Sequence, residues 1–117
     1  MGPIVLLKNF TLAIEQNQTF KGDWISVPSE HKNMDMHVHC QTISPTGLTT
    51  GFTVGIETSY DTVEEVAAGT GVNVNAPGSS TDHITSGIGP MARIHIQTPE
   101  SVSVFAVVSV WLQPKSE

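Results

Sequence analysis

The segment Val102–Leu112 (VSVFAVVSVWL) alternates with a period of two, so that Val102, Val104, Ala106, Val108, Val110 and Leu112 share one face. Ser103, Phe105, Val107, Ser109 and Trp111 occupy the other. Side chains of a strand alternate across the sheet, which makes one face continuously apolar and the second half apolar. The β-branched content argues against a helix. A strand wet on one side has no use for Phe105, Val107 and Trp111 there. The pattern predicts a strand either central in a two-layer structure or covered by another subunit.

The same period recurs upstream. Asn33–Thr42 sets Met34, Met36, Val38 and Cys40 against Asp35, His37, His39 and Gln41. Beyond the turn sequence Ser44-Pro45-Thr46-Gly47, Phe52, Val54 and Ile56 alternate with Thr53, Gly55 and Glu57. This predicts a hairpin between the two strands. Met91–Thr98 places Ala92, Ile94 and Ile96 opposite Arg93, His95 and Gln97. Shorter signals lie in Thr11–Ile14 and in Phe20–Val27, where Trp24 and Ser26 oppose Ile25 and Val27 until Pro28 stops the ladder.

Val63–Ala68 has the one helix-like composition, short enough for a helical turn or a strand start. Gly69–Gly89, rich in Gly, Asn, Ser, Thr and Pro, reads as loop with brief pairing at Val72 and Val74. About six to eight short strands with almost no helix predict an all-β chain, a single antiparallel β-sandwich of jelly-roll-like form. Residues 1–18 read as an N-terminal arm or an edge strand, and 19–117 as the sandwich domain.

Composition narrows the function. The chain has 117 residues, 38% hydrophobic and 14% charged, which suits one folded domain. Its net charge is -6, and Lys8, Lys21, Lys32, Arg93 and Lys115 are scattered. Nucleic acids and anionic membranes need clustered cations, so neither is an expected partner. The single cysteine, Cys40, excludes an internal disulfide and reads as a buried small hydrophobe. No segment approaches the roughly 20 apolar residues that span a bilayer. The run Ile4–Leu7 is too short for a signal-peptide core, so a chain made in a cytoplasm is expected.

His37 and His39 on one side of a strand, with His95 and Asp35 or Glu57, have the donor types of a zinc site. The plainer reading is a polar strand surface, and no metal or cofactor is expected. The same imidazoles could make an interface sensitive to pH. Cys40 lies on the face opposite His37 and His39, which excludes a Cys–His pair on a regular strand. No Gly-x-Ser-x-Gly elbow is present, and Gly69-Thr70-Gly71 and Gly87-Ile88-Gly89 lack the context of a phosphate loop. Trp24, Tyr60 and Trp111 could stack on sugars, although both tryptophans sit in apolar strands and read first as packing residues. The chain has no recognisable catalytic set.

Three stretches resemble a known family. Glu57-Thr58-Ser59-Tyr60-Asp61, Gly89-Pro90-Met91-Ala92-Arg93-Ile94-His95-Ile96 and Val108-Ser109-Val110-Trp111-Leu112-Gln113-Pro114-Lys115 are similar to segments of small β-sandwich decoration, or cement, proteins of bacteriophage capsids. The resemblance implies a non-enzymatic virion component: a homotrimer on the outer capsid surface, made in the host cytoplasm and bound to the major capsid protein. On that expectation Phe105, Val107 and Trp111 form the subunit interface. Pro3, Ile4, Val5, Leu6, Leu7 and Phe10 of the arm, with Asn73, Asn75 and Asp82 of a loop, contact the shell. The alternative is a carbohydrate-binding module or phage adhesin using exposed aromatics.

Overall fold

The computed structural model describes residues 4–15, 18–27, 33–48, 51–59, 66–85, 90–98 and 103–114. Among them the chain forms nine strands and no helix: β1 (Ile4–Ile14), β2 (Thr19–Lys21), β3 (Ile25–Ser26), β4 (Met34–Ser44), β5 (Phe52–Ser59), β6 (Val66–Val74), β7 (Gly78–Ile84), β8 (Met91–Gln97) and β9 (Val104–Pro114). A front sheet has the order β1-β9-β4-β7, and a back sheet the order β2-β8-β5-β6, with β3 continuing β2 along β8. Every pairing is antiparallel.

The pairs nest. β5 meets β6, β4 meets β7, β2 and β3 meet β8, and β1 meets β9. With β2 and β3 counted as one interrupted strand, this is a long hairpin ribbon folded over into two four-stranded sheets, the jelly-roll order. The chain is an all-β antiparallel sandwich.

Alternation explains the core. Val104, Ala106, Val108, Val110 and Leu112 of β9 meet Met34, Met36, Val38 and Cys40 of β4, and these pack on Phe52, Val54 and Ile56 of β5 and Ala92, Ile94 and Ile96 of β8. All are buried. β9 lies between β1 and β4, so its inner face is closed by the chain's own second sheet. A bulge between Cys40 and Thr42 sets Gln41 outside the register, and Ile43 then takes the inward place.

Two expectations are corrected, and one left open is settled. β4 and β5 do not pair: they lie in different sheets, and each already has two other neighbours. Alternation fixes which side of a strand is buried but not which strand lies beside it. The segment expected as loop is mostly strand as far as residue 85, because β6 extends to Val74 and β7 runs from Gly78 to Ile84; residues 86–89 lie outside the described residues. Backbone hydrogen bonds to β5 and β4 hold these weakly patterned segments. Of the two readings of Val63–Ala68 the strand start holds, since Val66–Ala68 begins β6; residues 61–65 lie outside the described residues.

Candidate functional site

The front sheet's outer face gathers alternate residues from four strands. Across it, Thr81, His37, Trp111 and Val5 form one row, because His37 pairs with Thr81 and Trp111, and Trp111 pairs with Val5. Beside it run His83, Asp35 and Gln113, and on the other side Ser79, His39 and Ser109. Further along, Val107 pairs with Thr42 and Thr11, and Phe105 with Ser44 and Ala13. Phe105 is 55% exposed and Val5 57%, while Val107 and Trp111 are half-buried. An apolar stripe therefore runs along β9, interrupted at Ser109, with Val5 beside its Trp111 end.

The imidazoles are held by short contacts. The His37 ring lies 5.3 Å from the Trp111 ring at 26°, and its Nδ1 is 3.1 Å from Thr81 Oγ1. His39 Nδ1 is 2.9 Å from Ser79 Oγ, and His83 Nδ1 is 2.6 Å from Asp35 Oδ1. His83 was not anticipated in this set. The only sequence signal for it was the weak alternation of Ser79, Thr81 and His83 against Asp82 and Ile84, masked by the loop-like composition.

His95 does not join His37 and His39. It lies on the outer face of the back sheet, between Lys21 and Gly55. Among the described residues no group of three or more His, Cys, Asp or Glu is placed to hold a metal. Glu57 instead bonds Arg93, whose Nε is 2.9 Å from Glu57 Oε1, with Lys21 Nζ at 3.7 Å from the same oxygen. The Arg93 guanidinium lies 4.3 Å from the centroid of the Trp24 ring, a cation–π contact. Trp24 and Trp111 thus belong to opposite sheets and make no common platform. Tyr60 lies outside the described residues.

The back sheet also carries a hollow of about 170 Å³ beside Gly55, lined by Thr53, Glu57 and His95 and floored by Ala67, Ala68 and β6 glycines. Its cause is a register shift: residues 69–71 of β6 stand opposite Gly55 alone. Gly69 and Gly71 take φ values of +77° and +80°, which favour glycine. Asp82 of β7 draws this bulge away. Its Oδ2 accepts from the Gly71 N–H at 2.9 Å and its Oδ1 from Thr70 Oγ1 at 3.4 Å.

The remaining expected contact residues separate. Ile4, Leu6, Leu7 and Phe10 are half-buried against the core, and only Val5 of that group is largely exposed. Pro3 lies outside the described residues. Asn73 and Asn75 are exposed on and just after β6, at the opposite edge of the sandwich from β1. Asp82 is not in an exposed loop: it is buried and spent on the seam between β6 and β7. Cys40 is buried on the inner side of β4, and burial raises its thiol pKa.

No protein-family model matches the sequence, and no curated protein sequence matches it. Among solved structures, a chain of the infectious bursal disease virus Gx strain structure is similar over 97% of this chain and 32% of its own, with a TM-score of 0.53 and 12% identity. The Clostridium thermocellum endo-1,4-β-D-xylanase 10B CBM22-1–GH10 structure, complexed with xylohexaose, matches over 99% of this chain and 26% of its own, with a TM-score of 0.46 and 11% identity. The chain spans about a third or less of both. The first likeness concerns the fold alone.

Proposed function

We propose that this chain is a non-enzymatic structural protein of a virion, a jelly-roll cement protein that self-associates as a homotrimer on the outer surface of a bacteriophage capsid. The observation that carries the reading is the apolar stripe Val5, Trp111, Val107 and Phe105 on the outer face of a four-stranded sheet. Large apolar side chains aligned across a sheet surface mark a covered surface. Covering Phe105, now about half exposed, contributes roughly 1 kcal/mol by itself. Molecular extents of 39 × 28 × 20 Å give a broad face able to supply the roughly 800 Å² per partner of an ordinary interface. The likeness of fold to a chain of a virus structure supports the same reading.

In it, β9 supplies the subunit interface through Phe105, Val107 and Trp111. The β1 edge touches the major capsid protein, and Asn73 and Asn75 make a separate polar contact. Sedimentation velocity with Phe105→Asp and Trp111→Asp tests the interface. Wild type is expected to sediment as a trimer and both variants as folded monomers; a monomeric wild type at micromolar concentration refutes the reading.

A second reading is glycan binding, favoured by the hollow at Gly55. Its apolar floor and its rim of Thr53, Glu57 and His95 match the C–H face and hydroxyls of a pyranose. A glycan array showing saturable binding that Gly55→Leu removes would support it, and an array without such binding refutes it.

A further inference from the structure

We propose that the front-sheet interface is proton-sensitive: copies associate while His37 and His39 are neutral and come apart when these two are charged. This rests on the reading that the stripe around Trp111 is buried by self-association. It adds a regulation that the apolar residues alone do not provide.

The geometry puts all three imidazoles inside or beside the stripe. His37 stacks on Trp111, the ring in the middle row, and pairs in register with it. His39 is one row away, opposite Ser109, and His83 flanks the other side through Asp35. Each Nδ1 is engaged by a neighbour on the same sheet.

Every element of the sheet bears on the charge balance. β4 adds the carboxylate of Asp35, and β7 adds His83 itself. β9 has no titratable side chain from Val104 to Pro114, and β1 brings the cation Lys8, exposed in its bulged stretch. Asp35 already pairs with His83, so a proton on His83 is compensated within the chain. His37 and His39 are held instead by hydroxyls, those of Thr81 and Ser79. In a lone chain His39 is exposed to water, and His37 keeps part of its hydration beside Trp111. In an assembly they lose that hydration, and each copy brings the same charges to the same face.

The sign follows by linkage. A released chain binds more protons than an assembled one, so assembly is complete where imidazole is neutral and is lost as the pH falls through the range where imidazole gains its charge. Uptake of two uncompensated protons per copy gives an upper slope of about 100-fold in affinity per pH unit.

Sedimentation velocity of the full chain at about pH 7.5 and about pH 5.5 tests this, with tryptophan fluorescence to confirm that the acid form stays folded. Wild type is expected to assemble at the higher pH and to bind at least about tenfold more weakly at the lower. His37→Gln/His39→Gln should assemble equally at both, and His39→Gln alone, at the exposed position, should keep assembly and lose about half of the slope. A wild-type chain assembled equally at both pH values overturns this inference alone. A chain already monomeric at the higher pH overturns the interface reading and the inference with it. Acid dissociation accompanied by unfolding, or an unchanged slope in the double variant, also overturns it.

Discussion

Replacing Asp82 by alanine tests how the two sheets are joined along the β6–β7 side. The carboxylate is only 8% exposed and accepts the Gly71 N–H at 2.9 Å. A hydrogen bond from a backbone amide to a buried carboxylate contributes about 1.5–3 kcal/mol. The Thr70 hydroxyl at 3.4 Å adds little at that length. Removing the charge also relieves its desolvation, which offsets part of the loss. The Gly71 amide, on a residue with φ of +80°, then stands at the bulge without its acceptor. The net expectation for Asp82→Ala is a loss of about 2 kcal/mol. For a domain of this length that is a fall in Tm of roughly 6–10 °C.

Urea unfolding checks the figure, with the midpoint lowered and the slope unchanged. Asp82→Asn, which keeps one acceptor oxygen, should lose about half as much, and Thr70→Val less than about 0.5 kcal/mol. Amide exchange at Gly71 should quicken in Asp82→Ala well beyond the global change. If Asp82→Ala unfolds within about 0.5 kcal/mol of wild type, Asp82 does not join the sheets, and the bulge is held by β5 alone.

Other outcomes follow from single positions. Leu112→Ala, at a fully buried site between β1 and β4, should cost about 2–5 kcal/mol by chemical denaturation. Gly71→Ala should be destabilising by thermal melt, since its Cβ would approach the Val54 carbonyl oxygen to 2.9 Å at a positive φ, whereas Gly55→Ala meets nothing within 4 Å and should leave Tm unchanged or raised. Cys40 should resist a thiol reagent in the native state and react at once in denaturant, because its side chain is buried. Its raised pKa means that the folded thiol stays neutral after the unfolded one ionises; the stability this gives is present below the ordinary thiol pKa and fades as the pH rises past it. Cys40→Ala should therefore lose less stability between neutral and alkaline pH than wild type, read by urea midpoints.

Much of the core was legible because alternation is a local property. The inward sets of β4, β5, β8 and β9 could be read residue by residue, and Cys40 fell on the inner side as the period requires. What could not be read was partnership. β4 and β5 carry equally good amphipathic patterns on either side of a turn sequence, yet the nested order separates them by a whole layer. β6 and β7 were hidden for a different reason: their glycines and small polar residues signal turns in isolation, and here they serve a bulge anchored from outside the strand by Asp82. That error also displaced the histidines. With β7 unrecognised, His83 had no strand to sit on, and His95 was grouped with His37 and His39 because nothing local says which sheet an outward residue belongs to.

The jelly-roll order gives a reason for two such different outer faces. Each face is one sheet, so a surface is assembled from every second residue of four strands that are distant in sequence. On the front this brings Val5, His37, Thr81 and Trp111 into one row. On the back it brings Lys21, Glu57 and Arg93 into one ion-pair group beside Gly55. The intervening residues of the same strands belong to the common core, so the chemistry of either face can change without altering the packing that holds both. Val108 and Val110 keep the sheets together, while their neighbours Val107 and Trp111 lie half-buried on the outer face. Substitutions at alternate positions of β9 should accordingly separate into one set that lowers stability and another that alters only association. No helical arrangement of these residues would divide them so cleanly.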